Sequence, residues 1–108
     1  MRAAVLVLLA GCGGEMLPAP DEVALVRLQE ANELFERGAF AEAVPRYEFV
    51  IKHRDLVKEA YHKLARCHES LGDVPRAIEI LEKARRVDRS DDYVARELAR
   101  LEGLKKGN

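Results

Sequence analysis

Apolar residues follow two different patterns along this chain. Residues 3–10 are apolar without interruption, whereas from Asp21 onward apolar residues recur every three or four positions among charged ones. That recurrence places apolar side chains on one face of an α-helix, which packs against neighbouring helices. The pattern therefore predicts an all-α domain after the first segment. Its five helices are expected at about 22–37, 41–53, 57–71, 75–88 and 91–106.

Glycine, proline and capping residues mark where these helices should begin and end. Gly38 and Gly72 are placed to end a helix in the left-handed conformation, which glycine adopts without steric cost. Asp73 is expected to cap the next helix, with Pro75 in its first turn. Ser90 is predicted to cap the final helix.

The helical part of the chain repeats itself after 34 residues. The stretch ANELFERGAFAEAVPRY at 31–47 aligns with ARCHESLGDVPRAIEIL at 65–81. The matched pairs are Ala31 with Ala65, Gly38 with Gly72, Ala43 with Ala77, and Val44 with Ile78. A fixed period of this length resembles the tetratricopeptide repeat, a helix-turn-helix unit that stacks on its neighbours.

The resemblance implies a right-handed superhelix of antiparallel helix pairs within one domain, residues 21–108. Its repeats would span about 24–57 and 58–91, followed by a capping helix at about 91–106. In such a repeat, small residues let the paired helices approach closely and a glycine ends the first helix. These structural positions are Ala31, Gly38, Ala43, Ala65, Gly72 and Ala77.

The first twelve residues resemble the signal of a bacterial lipoprotein. Arg2 supplies positive charge, and residues 3–10 form an apolar core shorter than the roughly 20 residues that cross a bilayer. Leu9-Ala10-Gly11-Cys12 matches the lipobox at every position. The resemblance implies cleavage of residues 1–11 and diacylglyceryl and acyl groups on Cys12. We expect no other cofactor and no metal. The alternative is a cytosolic protein whose first residues are apolar by chance.

Residues 12–20 are expected to form the lipidated cysteine and a flexible tether. Two glycines and two prolines disfavour a regular helix there. The eight residues after Cys12 reach at most about 26 Å, at ~3.3 Å each, so the domain would lie close to the lipid surface. Because Gly13 follows Cys12 where inner-membrane lipoproteins carry aspartate, the resemblance implies the outer membrane, facing the periplasm of the bacterial envelope.

The repeat family also implies a concave groove, lined by the first helix of each pair, that holds an extended peptide or a partner helix. The groove residues carried over by position are Asn32, Phe35, His62, Lys63, Arg66, Arg96 and Arg100. The three arginines favour an acidic peptide or a C-terminal carboxylate. The alternative is an ordinary solvated face.

Composition narrows the chemistry without naming a partner. Eighteen basic and 19 acidic residues give a net charge of −1, which favours neither nucleic acid nor a polybasic membrane surface. Cys67 lies near His62 and His68, but their spacing does not suit a zinc site on one helical face. We expect Cys67 to be a small buried apolar residue and the chain not to be an enzyme; a redox or metal protein is the alternative.

The function predicted from these patterns is recognition of a protein partner. The leading hypothesis is a lipid-anchored adaptor of the bacterial envelope, working in secretion, pilus or outer-membrane assembly. The alternative is a small structural subunit that stacks in a homo-oligomer or a larger complex. Two repeats are fewer than the roughly three that such arrays need for stability, and the first helix has more apolar residues than one buried face requires.

Overall fold

The computed structural model describes residues 19–54 and 57–107, which form five α-helices and no strand. The helices are α1 (Pro20–Glu36), α2 (Phe40–His53), α3 (Lys58–Ser70), α4 (Val74–Val87) and α5 (Asp92–Gly107). Every boundary lies within two residues of the predicted one, so the all-α prediction is confirmed. Residues 1–11 and Cys12 lie outside the described residues. Among the helices of the described ranges, none combines the length and the apolar character that a membrane span requires.

The first helix begins earlier than predicted. The sequence places Pro20 in the tether, but the structure places it in the first turn of α1. Proline suits that turn because its fixed φ is helical and its missing N–H has no helical partner to lose. The Glu22 carboxylate also accepts a hydrogen bond from the Ala19 amide at 3.0 Å. The predicted tether is therefore wrong at its last residue, and residues 12–18 lie outside the described part.

Glycines end the first helix of each pair, as predicted. Gly38 and Gly72 have φ of 79° and 87°. After each of them, a backbone amide donates to the carbonyl five residues back, at 2.8 Å in both turns. This left-handed closure satisfies carbonyls that the helix end would otherwise leave without a partner. Asp73 then caps α4 by accepting from the Arg76 amide at 3.1 Å, which confirms the predicted cap.

The cap of α5 differs from the prediction. Asp91, rather than Ser90, accepts hydrogen bonds from the amides of Tyr93 and Val94, at 3.0 and 3.4 Å. Ser90 instead turns back, donating from its hydroxyl to Asp88 at 2.6 Å. The prediction of Ser90 is wrong because α5 begins one residue later than expected, which puts Asp91 at the capping position.

The core lies between consecutive helices, α1 on α2 through to α4 on α5. Connections of three or four residues make neighbouring helices antiparallel. The four repeat alanines, Ala31, Ala43, Ala65 and Ala77, are all buried, so small residues stand where the helices approach. Larger side chains fill the remaining space. Those that are fully buried include Tyr47, Val50, Leu64, Leu81, Val94 and Leu101.

The outer side of α1 carries exposed apolar side chains. Leu25 and Val26 are 48% and 53% exposed. The helix packs mainly on α2 and only slightly on α3. The surplus of apolar residues seen in the sequence of α1 therefore corresponds to exposed apolar surface.

Candidate partner-binding groove

Helices α1, α3 and α5 lie side by side, and the predicted groove residues of α1 and α3 meet around Phe35. The ammonium of Lys63 lies 5.4 Å from the centre of the Phe35 ring, and the guanidinium carbon of Arg66 lies 6.0 Å from it. Cations at this distance are attracted to the electron-rich face of an aromatic ring. The repeat spacing therefore brings two cations of one helix onto an aromatic side chain of another.

Asn32 joins three helices at the floor of this face. Its amide oxygen accepts hydrogen bonds from the Tyr47 hydroxyl at 2.6 Å and from the Lys63 ammonium at 3.3 Å. Its amide nitrogen donates to the Glu59 carboxylate at 3.0 Å. Burial raises the pKa of Tyr47 above its ordinary value, so the hydroxyl stays protonated and keeps donating. Asn32 thus holds α1, α2 and α3 in register.

His62 ties α3 to the start of α5. Its Nε2 lies 2.8 Å from the Asp91 carboxylate, and its ring lies 4.4 Å from that of Tyr93, centre to centre. Burial acts to raise the pKa of Asp91, but the hydrogen bonds from His62 and the α5 amides outweigh it and lower that pKa. Because Asp91 also caps α5, one carboxylate both begins the helix and fastens it to α3.

Arg100 is already engaged by two carboxylates. It donates to both oxygens of Glu69 on α3, at 2.8 and 2.9 Å, and to Glu97 on its own helix, at 2.7 Å. The hydrogen bond from Arg100 lowers the pKa of Glu69. The sequence did not indicate this pairing between α3 and α5. Glu97 and Arg100 lie three positions apart on α5, so their pairing is the part of this arrangement that the sequence spacing could have indicated.

Arg66 differs from Lys63 and Arg100, which are paired with carboxylates. It lines a cavity of about 520 Å³ between α3 and α5, together with Glu69, Ser70, Tyr93, Glu97 and Arg100. Within residues 19–54 and 57–107, Arg66 forms no ion pair. Arg96 is exposed on α5 and does not line this cavity. The structure therefore brings six of the seven predicted residues to one connected surface and leaves Arg96 outside it.

Cys67 and His68 belong neither to the lining of this cavity nor to the contacts around Phe35. Cys67 is fully buried, and burial raises the pKa of its thiol to about 11. Its thiolate form is therefore negligible at neutral pH, and it packs as a small apolar residue, as predicted. Burial, followed by the charge of Arg76, lowers the pKa of His68. The described residues contain no group of three side chains of the His, Cys, Asp or Glu type placed to hold a metal.

Comparison with known families agrees with the 34-residue period. A family model described as tetratricopeptide repeat matches residues 34–101, which is more than half of the chain. The chain belongs to the tetratricopeptide repeat (TPR) family. No curated protein is similar enough to this chain to be counted as a relative. TPR repeats generally bind protein partners, and the family typically supplies scaffolds rather than enzymes.

Proposed function

We propose that this TPR protein is a non-enzymatic adaptor that binds an acidic segment of a partner protein in the groove between α3 and α5. The observation that carries the proposal is the state of Arg66. Its guanidinium is free of ion pairs among the described residues, lies on the Phe35 ring and lines the 520 Å³ cavity. A planar guanidinium in that setting matches a carboxylate with two parallel hydrogen bonds.

The walls of the cavity decide which groups fit beside Arg66. Arg100 shares its single positive charge between Glu69 and Glu97, so Arg66 supplies the second positive charge that an incoming carboxylate meets in the cavity. Lys63 is similarly occupied by Glu59 at 3.1 Å. Phe35 and Tyr93 supply apolar surface on either side. The site therefore favours a peptide whose carboxylate is followed by an apolar or aromatic side chain.

Peptide binding tests this proposal directly. A set of peptides with a free C-terminal carboxylate or an internal aspartate is compared with amidated and asparagine versions, by fluorescence anisotropy. Arg66→Ala should weaken the binding of the acidic peptides about tenfold or more, since it removes a pair of charge-assisted hydrogen bonds to the peptide carboxylate. Arg37→Ala, an arginine at the end of α1, serves as the control. Equal binding by both variants, or equal binding of acidic and neutral peptides, contradicts the proposal.

We further propose that the adaptor is anchored in the bacterial envelope by lipid on Cys12, on the outer membrane and facing the periplasm. The support is the Leu9-Ala10-Gly11-Cys12 motif after an apolar core, with Gly13 next. Two or three acyl chains would hold the protein firmly without a membrane span. Secretion, pilus or outer-membrane assembly are the processes in which such an adaptor would work.

Metabolic labelling with a radioactive fatty acid tests the anchor. The label should appear in the full chain and disappear in Cys12→Ser, which should also leave the membrane fraction. Cys67→Ala is the matched control because it removes the other cysteine of the chain and should keep the label. Unlabelled wild-type protein in a bacterial host overturns the anchor while leaving the peptide groove untouched.

A second candidate, stacking within a homo-oligomer, rests on the exposed Leu25 and Val26 of α1. Sedimentation of the full chain over a range of concentrations distinguishes it. Self-association that is lost in a Leu25→Ser, Val26→Ser double variant supports a structural subunit. A monomer that unfolds cooperatively at low concentration excludes it.

A further inference from the structure

Several helix ends meet at one end of the domain. Helices α1, α3 and α5 begin there, and α2 and α4 finish there, because neighbouring helices are antiparallel. Lys58, the first residue of α3, lies 3.0 Å from Asp88, which follows α4. We call this the entry end, since the chain that leads from Cys12 enters α1 here at Pro20.

Free positive charge is concentrated at the end of α4. Arg85, Arg86 and Arg89, here named the arginine cluster, line an open hollow of about 540 Å³ together with Glu82. All three arginines are exposed, and none of them forms an ion pair within the described part of the chain. Lys52 and Arg54 add positive charge where α2 finishes, at the same end of the domain.

Acidic residues at the entry end offset part of this charge, and Glu82 lies in the hollow itself. Asp88 is paired with Lys58, and Asp91 shares a hydrogen bond with His62. Asp21, Glu22 and Asp92 lie in the first turns of α1 and α5. Carboxylates there interact with the partial positive charge of the helix N-terminus. Arg85 and Arg86 lie in the last turn of α4, where the partial negative charge of the helix C-terminus favours cations. All three arginines of the cluster are exposed to solvent.

We propose that the arginine cluster binds the anionic headgroups of the membrane to which Cys12 is attached, an inference whose orientation rests on the proposed lipid anchor. The length of the segment after Cys12 and the attraction of cations to anionic lipid favour lipid as the occupant. The eight residues that follow Cys12 reach at most about 26 Å, which keeps the entry end near the bilayer. Lys and Arg close to an anionic leaflet are attracted by its negative surface potential.

The anchor and the arginine cluster have different consequences. Multiple acyl chains already keep the protein on the membrane, so the cluster contributes orientation more than retention. Contact through the entry end stands the helices upright on the bilayer. The groove between α3 and α5 then opens sideways, where a partner in the aqueous compartment reaches Arg66 without competing with lipid.

Vesicle flotation with the full Cys12→Ser chain tests this contact without lipid on the protein. Phosphatidylcholine vesicles are compared with vesicles that also contain phosphatidylglycerol. The anionic vesicles should bind more protein, and added salt should remove the difference. In the triple variant Arg85→Glu, Arg86→Glu, Arg89→Glu, the partition coefficient for anionic vesicles should fall about tenfold or more.

A charge-matched variant controls for net charge and for the apolar residues 3–10. The control variant carries Arg37→Glu, Lys105→Glu and Lys106→Glu. These substitutions change the net charge by the same amount as the first triple variant but lie at the opposite end of the helices. This control should float like the parent chain, and both variants should keep the helical circular dichroism spectrum. Equal flotation of the two triple variants overturns the proposal, as does binding to soluble polyglutamate without binding to anionic vesicles. Successful fatty-acid labelling beside either result leaves the anchor standing and removes only the orientation.

Discussion

Gly72 illustrates how much single residues decide in this fold. Its φ of 87° lies in the left-handed region, and a side chain there would meet no atom within 4 Å. Any cost of replacing it is therefore backbone strain rather than collision. Gly103 has equally open space but lies inside α5. There, glycine itself weakens the helix relative to alanine.

These two glycines predict opposite effects of the same substitution. Gly72→Ala should destabilise the protein by about 1–2 kcal/mol, because alanine resists the left-handed conformation. Gly103→Ala should stabilise it by about 0.5–1 kcal/mol. Urea unfolding of both variants measures the difference. Stabilisation by Gly72→Ala would mean that the turn after α3 tolerates a different conformation.

Residue-level prediction from sequence succeeded where chemistry is local. Gly38, Gly72 and Asp73 each act within one turn of chain, so their roles follow from residue type and neighbours alone. Ser90 failed because Ser90 and Asp91 are both good caps, and only the packing of α5 against α3 through His62 chooses between them.

At the scale of elements, the turn between α4 and α5 depends on ionised carboxylates. Hydrogen bonds from the Ser90 hydroxyl, from Lys58 and from the Ser90 amide hold the pKa of Asp88 at about 2, compared with an ordinary value of 3.8. The unfolded chain therefore binds a proton at a higher pH than the folded one does. Stability from this turn is complete above the ordinary pKa and is lost as pH falls through about 2.

Acid unfolding tests the turn. Between pH 4 and pH 2, thermal stability of the parent chain should fall, and Asp88→Asn should show a smaller fall because it has no proton to take up there. Asp92→Asn, a change of the same charge in the first turn of α5, is the control. Identical slopes for the parent chain and Asp88→Asn would show that this carboxylate does not hold the turn.

The helices themselves were predictable because the 34-residue period repeats each boundary signal. What sequence reasoning could not supply was the pairing between helices. Arg100 is a free groove cation in the sequence but a paired one in the structure, since Glu69 lies opposite it on α3. Contacts across helices depend on rotation and distance, which neither spacing nor composition fixes.

At the scale of the whole molecule, each helix is stabilised through its neighbours. Leu81 is 1% exposed and lies beneath the groove with Ala65 and Leu101, where α3, α4 and α5 meet. Arrays of this kind gain much of their stability from such shared interfaces. Loss of packing at this point should therefore destabilise α3 and α5 as well as α4.

Leu81→Ala should lower the free energy of unfolding by about 2–5 kcal/mol. It should also weaken the binding of acidic peptides, because α3 and α5 no longer pack against the Leu81 side chain. Leu104→Ala, at a position 46% exposed, should change stability far less. Urea titration measures the first effect and anisotropy the second. Equal destabilisation by the two substitutions would contradict the packing described for Leu81.

Whole-molecule composition concealed the arginine cluster. A net charge of −1 says nothing about where the 18 basic residues lie. Antiparallel helices place the last turns of α2 and α4 at the same end of the domain, so Lys52 and Arg54 share that end with the arginine cluster. The net charge of the whole chain argues against a basic surface on average. It does not describe the local charge at the entry end.

The hydrogen bonds of Asn32 have a kinetic consequence. Because one amide joins Tyr47, Glu59 and Lys63, the spacing of the first three helices is set before any partner arrives. A groove that is already formed needs little rearrangement when it is occupied. Partners that differ in affinity should then associate at similar rates and differ mainly in how long they remain bound.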